Sequence, residues 1–170
     1  MRLILLGAGG YGRTIADVAR QTGRYTAVAF LDDNAAGPAI LGKCSDYAAF
    51  ADGDTQMYPA FGNNAGRLAW LDKLKAAGIP VPTLVHPTAY VSPEAALAEG
   101  VMVLPLAVVN TECRVERGCI VNCGAVVDHG CVLEQGVHVS PGAIVKAENR
   151  IPAGSKIESG EVIANRTYPV

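Results

Sequence analysis

The chain has 170 residues, half of them hydrophobic, and a formal net charge of −2. That length allows one large domain or two small ones with a real core, and the lack of any basic run argues against a nucleic-acid partner. The apolar start Met1–Leu6 meets glycines too soon for a signal peptide or a membrane span, which predicts a cytoplasmic protein with no membrane partner.

Arg2–Leu6 reads as a short aliphatic strand. It runs into Gly7-Ala8-Gly9-Gly10-Tyr11-Gly12, and a helix is expected from Arg13 to Thr22, with Ile15, Val18 and Ala19 on one face and Gly23 as its stop. Thr26–Leu31 reads as a second strand ending in Asp32-Asp33, followed by a loop through Gly37-Pro38 and Leu41-Gly42. Met57–Phe61 reads as a third strand. Asn63 or Asn64 then caps a second helix carrying Leu68, Leu71 and Leu74, and Gly78-Ile79-Pro80 stops it. Strand–helix–strand with one further strand and helix predicts a parallel sheet, a Rossmann-like α/β domain over residues 1–80.

The glycine loop fits G-x-G-x-x-G between a strand and a helix. Free amides and the positive end of the helix dipole suit a phosphate there, and glycines at Gly9, Gly10 and Gly12 let a ligand approach the backbone. Asp32, twenty residues past Gly12, stands where a carboxylate meets a ribose or a base, with Asp33 beside it. No second mononucleotide half follows. A nucleotide-linked ligand with one base therefore fits better than a dinucleotide.

From Ile79 through Val85, Val91 and Leu97 to Ile163, every sixth residue is a branched aliphatic, without exception. Four residues after each, the side chain is usually small, as at Ala107, Cys113, Cys119, Ala125 and Cys131. Neither a helical period nor simple alternation yields strict period six, whereas a solenoid does. Residues 81–170 are therefore expected to be a parallel β-helix with eighteen residues per triangular coil, coils stacked at roughly 4.8 Å, and between four and five coils from Val85. Flat apolar sides favour closed association, and three prisms around an axis make a homotrimer.

In that register Asp128 lies between Asn110 and Lys146, His129 between Thr111 and Ala147, and Asn122 between Leu104 and Ser140. His129 is a corner residue beside a carboxylate, with the elements of an oriented general base. Asp128 equally suits a plain salt bridge to Lys146. His138 is half a coil further on, so the two imidazoles converge only across a subunit interface. His86, in a His-Pro step, reads as structural. The spacing of the three histidines and five cysteines gives no metal site, and the cysteines read as buried thiols.

These residues in this order resemble the hexapeptide-repeat nucleotide-sugar acetyltransferases that acylate bacillosamine precursors, perosamine or sialic acids in bacterial surface-glycan biosynthesis (the PglD/NeuD type). The glycine loop, Phe30-Leu31-Asp32-Asp33, Phe61-Gly62-Asn63-Asn64, Pro82-Thr83-Leu84-Val85-His86-Pro87 and the stretch from Val121 to Gly142 carry the resemblance. It implies a left-handed β-helix, a homotrimer, and acetyl-CoA as co-substrate in the groove between two prisms, with no metal. It implies a nucleotide sugar on Gly9, Gly10, Tyr11, Gly12, Asp32 and Asp33. His129 matches the base, with Asn122 and Asp128 near it, and His138 and Gly142 match the acyl-CoA site. This chain departs from the pattern in three places. Tyr11 stands where members often have His, Gly130 stands where an Asp or Glu often follows the base, and the solenoid ends sooner, which implies a shortened acyl-CoA groove. The leading expectation is acetyl transfer to an amino group, or hydroxyl, of the sugar. A non-catalytic nucleotide-sugar-binding scaffold is the alternative, and an NAD-dependent oxidoreductase built on the glycine loop is a third reading.

Overall fold

Leu3, Ile4, Leu5 and Leu6 are all buried. An unbroken apolar run suits a strand covered on both faces, and β1 (Arg2–Leu6) is central in a parallel sheet. β2 (Ala27–Leu31) lies on one side of it and β4 (Thr55–Pro59) on the other. A short edge strand, β3 (Ile40–Gly42), completes the order β3-β2-β1-β4. The computed structural model describes residues 1–170, which form two compact units, Met1–Pro82 and Thr83–Val170.

Within the first unit, α1 (Gly10–Gln21) starts three residues before the expected Arg13, because the Arg13 amide already donates to the Gly9 carbonyl at 3.0 Å. The last glycines of the loop are thus the first turn of the helix. β3 was expected as loop; three residues are too few to show a period. A 3₁₀ helix, Cys44–Phe50, follows it. β4 lies two residues earlier than Met57–Phe61, since pairing with β1 matches Arg2 to Thr55 and Leu6 to Pro59. α2 (Asn64–Ala76) is capped by Asn63, whose side-chain oxygen accepts from the Gly66 amide at 2.8 Å.

The second unit is a left-handed parallel β-helix. Two-residue strands from Leu84–Val85 to Val162–Ile163 stack into three parallel sheets. Each strand pairs with the one eighteen residues away, as Val126–Val127 does with Val108–Val109 and Ile144–Val145. Branched residues at the strand ends suit extended backbone and point inward. Val103, Val109, Val115, Val121, Val127 and Leu133 are buried, as are the small residues Ala107, Cys113, Cys119, Ala125 and Cys131. Cys123, at a corner, is exposed.

From Gly100 onward each corner has one residue at left-handed φ. Glycine fills that slot at Gly118, Gly124, Gly130, Gly136 and Gly142, with φ between 64° and 70°. Leu106, Glu112, Glu148 and Arg166 fill it without being glycine, with φ between 53° and 60°. Such a residue costs about 1 kcal/mol or more. After the last coil the chain doubles back. The amide of buried Asn149 donates to the carbonyls of Lys146 and Ala164, both at 2.8 Å, and its oxygen accepts from the Tyr168 amide at 2.8 Å. No helix is long and apolar enough to cross a membrane.

Candidate active site

The glycine loop is built at the C-terminal edge of the sheet, where α/β proteins hold ligands. Gly7 has φ 106°, and a Cβ there would meet the Ala60 carbonyl oxygen at 3.2 Å. At Gly12 an added Cβ would lie 2.0 Å from the Gly7 carbonyl oxygen, so only glycine fits. Over Gly9 and Gly10 there is open space within 4 Å. Gly9 caps α1 with no side-chain hydrogen bond, which leaves the first amides of the helix to a ligand.

Asp32 holds this loop in shape. Its carboxylate accepts from the amides of Ala8 at 2.7 Å, Asn34 at 2.9 Å and Ala35 at 2.8 Å, and these bonds draw its pKa below the usual carboxylate value. Asp33 accepts from the Cys44 amide at 2.9 Å. Both carboxylates predicted to meet a ligand are thus also braces of the loops around it. They line a cavity of about 420 Å³ with Ala35, Gly37, Lys43 and Asp46. A neighbouring cavity of about 330 Å³ reaches Ala8 and Arg13. A further hollow near Thr55 and Ile79 lies at the opposite edge of the sheet, away from the loop.

Tyr11 projects its hydroxyl into a buried place beside Tyr58 and the guanidinium of Arg67. Burial, reinforced by Tyr58, pushes its pKa well up, so the phenol stays neutral. Arg67 is fully buried and donates to the carbonyls of Phe61 at 3.0 Å and Gly62 at 3.5 Å and to the Asn64 side chain at 2.9 Å. It ties down the Phe61–Asn64 turn. An aromatic group of Tyr47, Phe61 and Trp70 stands there too, with the Lys73 ammonium 4.3 Å from the Trp70 ring centre. Sequence reading missed Arg67; a lone Arg amid apolar helix positions is its only mark.

In the solenoid, Asn122 and His138 come together. The Asn122 oxygen accepts from the Cys123 amide at 2.8 Å, so its NH₂ group faces His138 Nε2, 3.0 Å away. Nε2 then accepts and the ring proton sits on Nδ1. Ser140, on the neighbouring rung, is buried, and no hydrogen bond reaches its hydroxyl. Gly142 turns the corner at φ 67° in open space, its amide bonded to the Cys123 carbonyl at 3.0 Å.

His129 lies elsewhere, at the corner after Val126–Val127, and is exposed. Asp128 does not reach the imidazole or Lys146. Its oxygen accepts from the His129 backbone amide at 2.7 Å and the Asn110 NH₂ at 3.2 Å, which shapes the corner. A second carboxylate residue at this corner, which sequence reading missed, is Glu148, one coil on from Gly130. Its amide donates to the His129 carbonyl at 3.1 Å, and its Cγ lies 3.6 Å from where a Gly130 side chain would begin. Arg166, a further coil on, pairs with it. Arg166, by hydrogen bond and charge, draws the Glu148 pKa down, and the charge of His129 adds to this. The eighteen-residue register was the signal that could have found both. His86 is buried, with Nδ1 accepting from the Thr88 amide at 3.1 Å and 2.8 Å from the Thr88 hydroxyl.

The family described as the PglD N-terminal domain matches residues 2–74. Among solved structures, the acetyltransferase domain of PglB from Neisseria gonorrhoeae FA1090 is 34% identical, with a TM-score of 0.95 over 97% of this chain and 83% of that one. The same domain in complex with acetyl coenzyme A superposes with a TM-score of 0.94 at 34% identity, over 97% of this chain and 82% of that one. PerB from Caulobacter crescentus, in complex with CoA and GDP-perosamine, shares the fold at 24% identity, with a TM-score of 0.79 over 100% of this chain and 92% of that one. No curated protein sequence matches the chain.

Proposed function

This chain belongs to the PglD/NeuD-type sugar acetyltransferases, and from that premise we propose that it transfers the acetyl group of acetyl-CoA to the amino group of a nucleotide-linked sugar in bacterial surface-glycan synthesis. The observation that carries this reading is the exposed corner imidazole of His129 on a solenoid that matches an acetyltransferase domain solved with acetyl coenzyme A. The open space over Gly9 and Gly10, above helix amides, supports a diphosphate there, and the cavity beside Asp32 and Asp33 supports a nucleoside.

The chemistry is direct. The sugar nitrogen attacks the thioester carbonyl as His129 takes its proton. A backbone amide receives the developing oxyanion. The carbon–sulfur bond then breaks, and CoA leaves as the thiolate, to which His129 returns the proton. The hydrogen-bonded Asn122–His138 pair is assigned to the acetyl end of the donor, with Gly142 beside it.

His129 and His138 stand on different sides of one prism, so a complete site needs a second copy. One prism side carries an outward apolar stripe of Tyr90, Val108, Val126, Ile144 and Val162, with Tyr90 55% and Val162 51% exposed. That stripe supports a homotrimer in which His129 of one protomer faces a neighbour's Asn122 and His138.

Thiol release from acetyl-CoA with a panel of amino-sugar nucleotides tests the reading. Turnover that disappears in His129→Ala supports it, and turnover unchanged in that variant refutes it. A scaffold would bind the nucleotide sugar with no thiol release from any member of the panel.

A further inference from the structure

Three of the four strained corners of the solenoid share one edge. Glu112, Gly130, Glu148 and Arg166 are spaced eighteen apart and form one column, with φ of 58°, 65°, 58° and 53°. Three of these four left-handed positions are charged residues where glycine would be at ease. Left-handed non-glycine residues persist where the surrounding structure fixes the backbone, here the regular turn of the coil. This column flanks His129 on its C-terminal side, and the corner also carries Asp128 and Lys146.

We propose that Glu148, delivered from the next coil, is the carboxylate that positions His129, and that Arg166 holds it there. The assignment rests on His129 being the base. Gly130 leaves the place after the base without a side chain, and the Glu148 methylenes lie against that vacancy at 3.6 Å. The Glu148 amide to His129 carbonyl bond, 3.1 Å, fixes the two corners to each other. One oxygen of Asp128 is engaged by the His129 amide and Asn110, which turns that carboxylate toward the backbone of its own corner. Arg166 pairs with the Glu148 carboxylate from the far side. The chain reversal at Asn149 and Tyr168 anchors that last corner. Glu112, in the coil before, adds negative charge to the same edge. As the imidazole takes the substrate proton it becomes a cation, and the facing carboxylate stabilises it and limits its rotation.

Two measurements test this. The first follows the His129 ring protons by NMR as pH is varied, and needs no substrate. Glu148→Gln removes the negative charge, so the midpoint falls by roughly half a pH unit or more; Arg166→Gln unmasks it, so the midpoint rises. A midpoint unmoved in both variants overturns the assignment. The second is kinetic. Glu148→Gln lowers kcat by roughly tenfold or more, leaves KM for both substrates within about twofold, and moves the acid limb of the kcat profile to lower pH. Because Glu112 and Glu148 both occupy the left-handed slot, Gly130→Glu in the Glu148→Gln background restores a carboxylate one coil away and recovers part of kcat. If His129→Ala abolishes turnover while Glu148→Gln leaves kcat and its pH profile unchanged, this assignment fails and the base survives. If His129→Ala is harmless, the base reading fails, and the ring titration still decides whether Glu148 faces the imidazole.

Discussion

The two units of the chain solve opposite problems. In the first, residues from distant parts of the sequence meet at one sheet edge, and the open groups there are backbone amides. Its carboxylates, Asp32 and Asp33, accept from loop amides and hold those loops. In the second, strands pair only with the coil before or after, and the inward slots carry aliphatic and small side chains except at Asn149. Stability and chemistry are therefore separated in the solenoid, where outward corner residues can change without touching the core. They are entangled in the α/β unit, where the same atoms shape the loop and line the cavity.

Four experiments would break or sharpen that contrast. The largest effect is expected at the corner. His129→Ala should reduce kcat by roughly 10²–10⁴-fold and leave the melting temperature unchanged, by thiol release and calorimetry. Loss of fold in that variant would end the claim that corners are separate from core. Gly12→Val should do the reverse in the first unit. A Cβ 2.0 Å from a backbone oxygen forces the loop apart, at about 3 kcal/mol or more, and nucleotide-sugar binding goes with it. Calorimetry should show the first unit weakened while the solenoid transition stays in place.

The third concerns acid. The folded pKa of Asp32 lies below its unfolded value of about 3.9. Its contribution is therefore fully present above that value and is lost as pH falls through the folded pKa. The first unit should weaken below about pH 4 more steeply in the native chain than in Asp32→Asn, followed by circular dichroism. Equal slopes would show that the loop bonds give no net stability. The smallest effect is at Leu106, a left-handed residue 69% exposed. Leu106→Gly should raise stability by at most about 1 kcal/mol, by denaturant titration, and leave activity unchanged.

The period-six aliphatics made the solenoid, its register and the small inward cysteines readable in advance, because each coil repeats one local rule. The glycine loop was readable for a similar reason: Gly12 is dictated by a steric limit that one residue type satisfies. β3 and the 3₁₀ helix at Cys44–Phe50 were not, since three residues show no period and their stability comes from β2 and the loops beside it. The partners of Asp128 were not readable, since register alone does not say that the nearest amide claims one of its oxygens.

What the sequence determined by itself was the repeat, and with it which residues share a column and which face the core. Repetition turns a long-range contact into arithmetic. What only the tertiary structure decided was the side chains' choice among neighbours: Asp128 turning to backbone, Asn122 to His138, Glu148 to Arg166. Register brings several polar groups within reach of one another, and rotamers, desolvation and competing hydrogen bonds select the pairs that form.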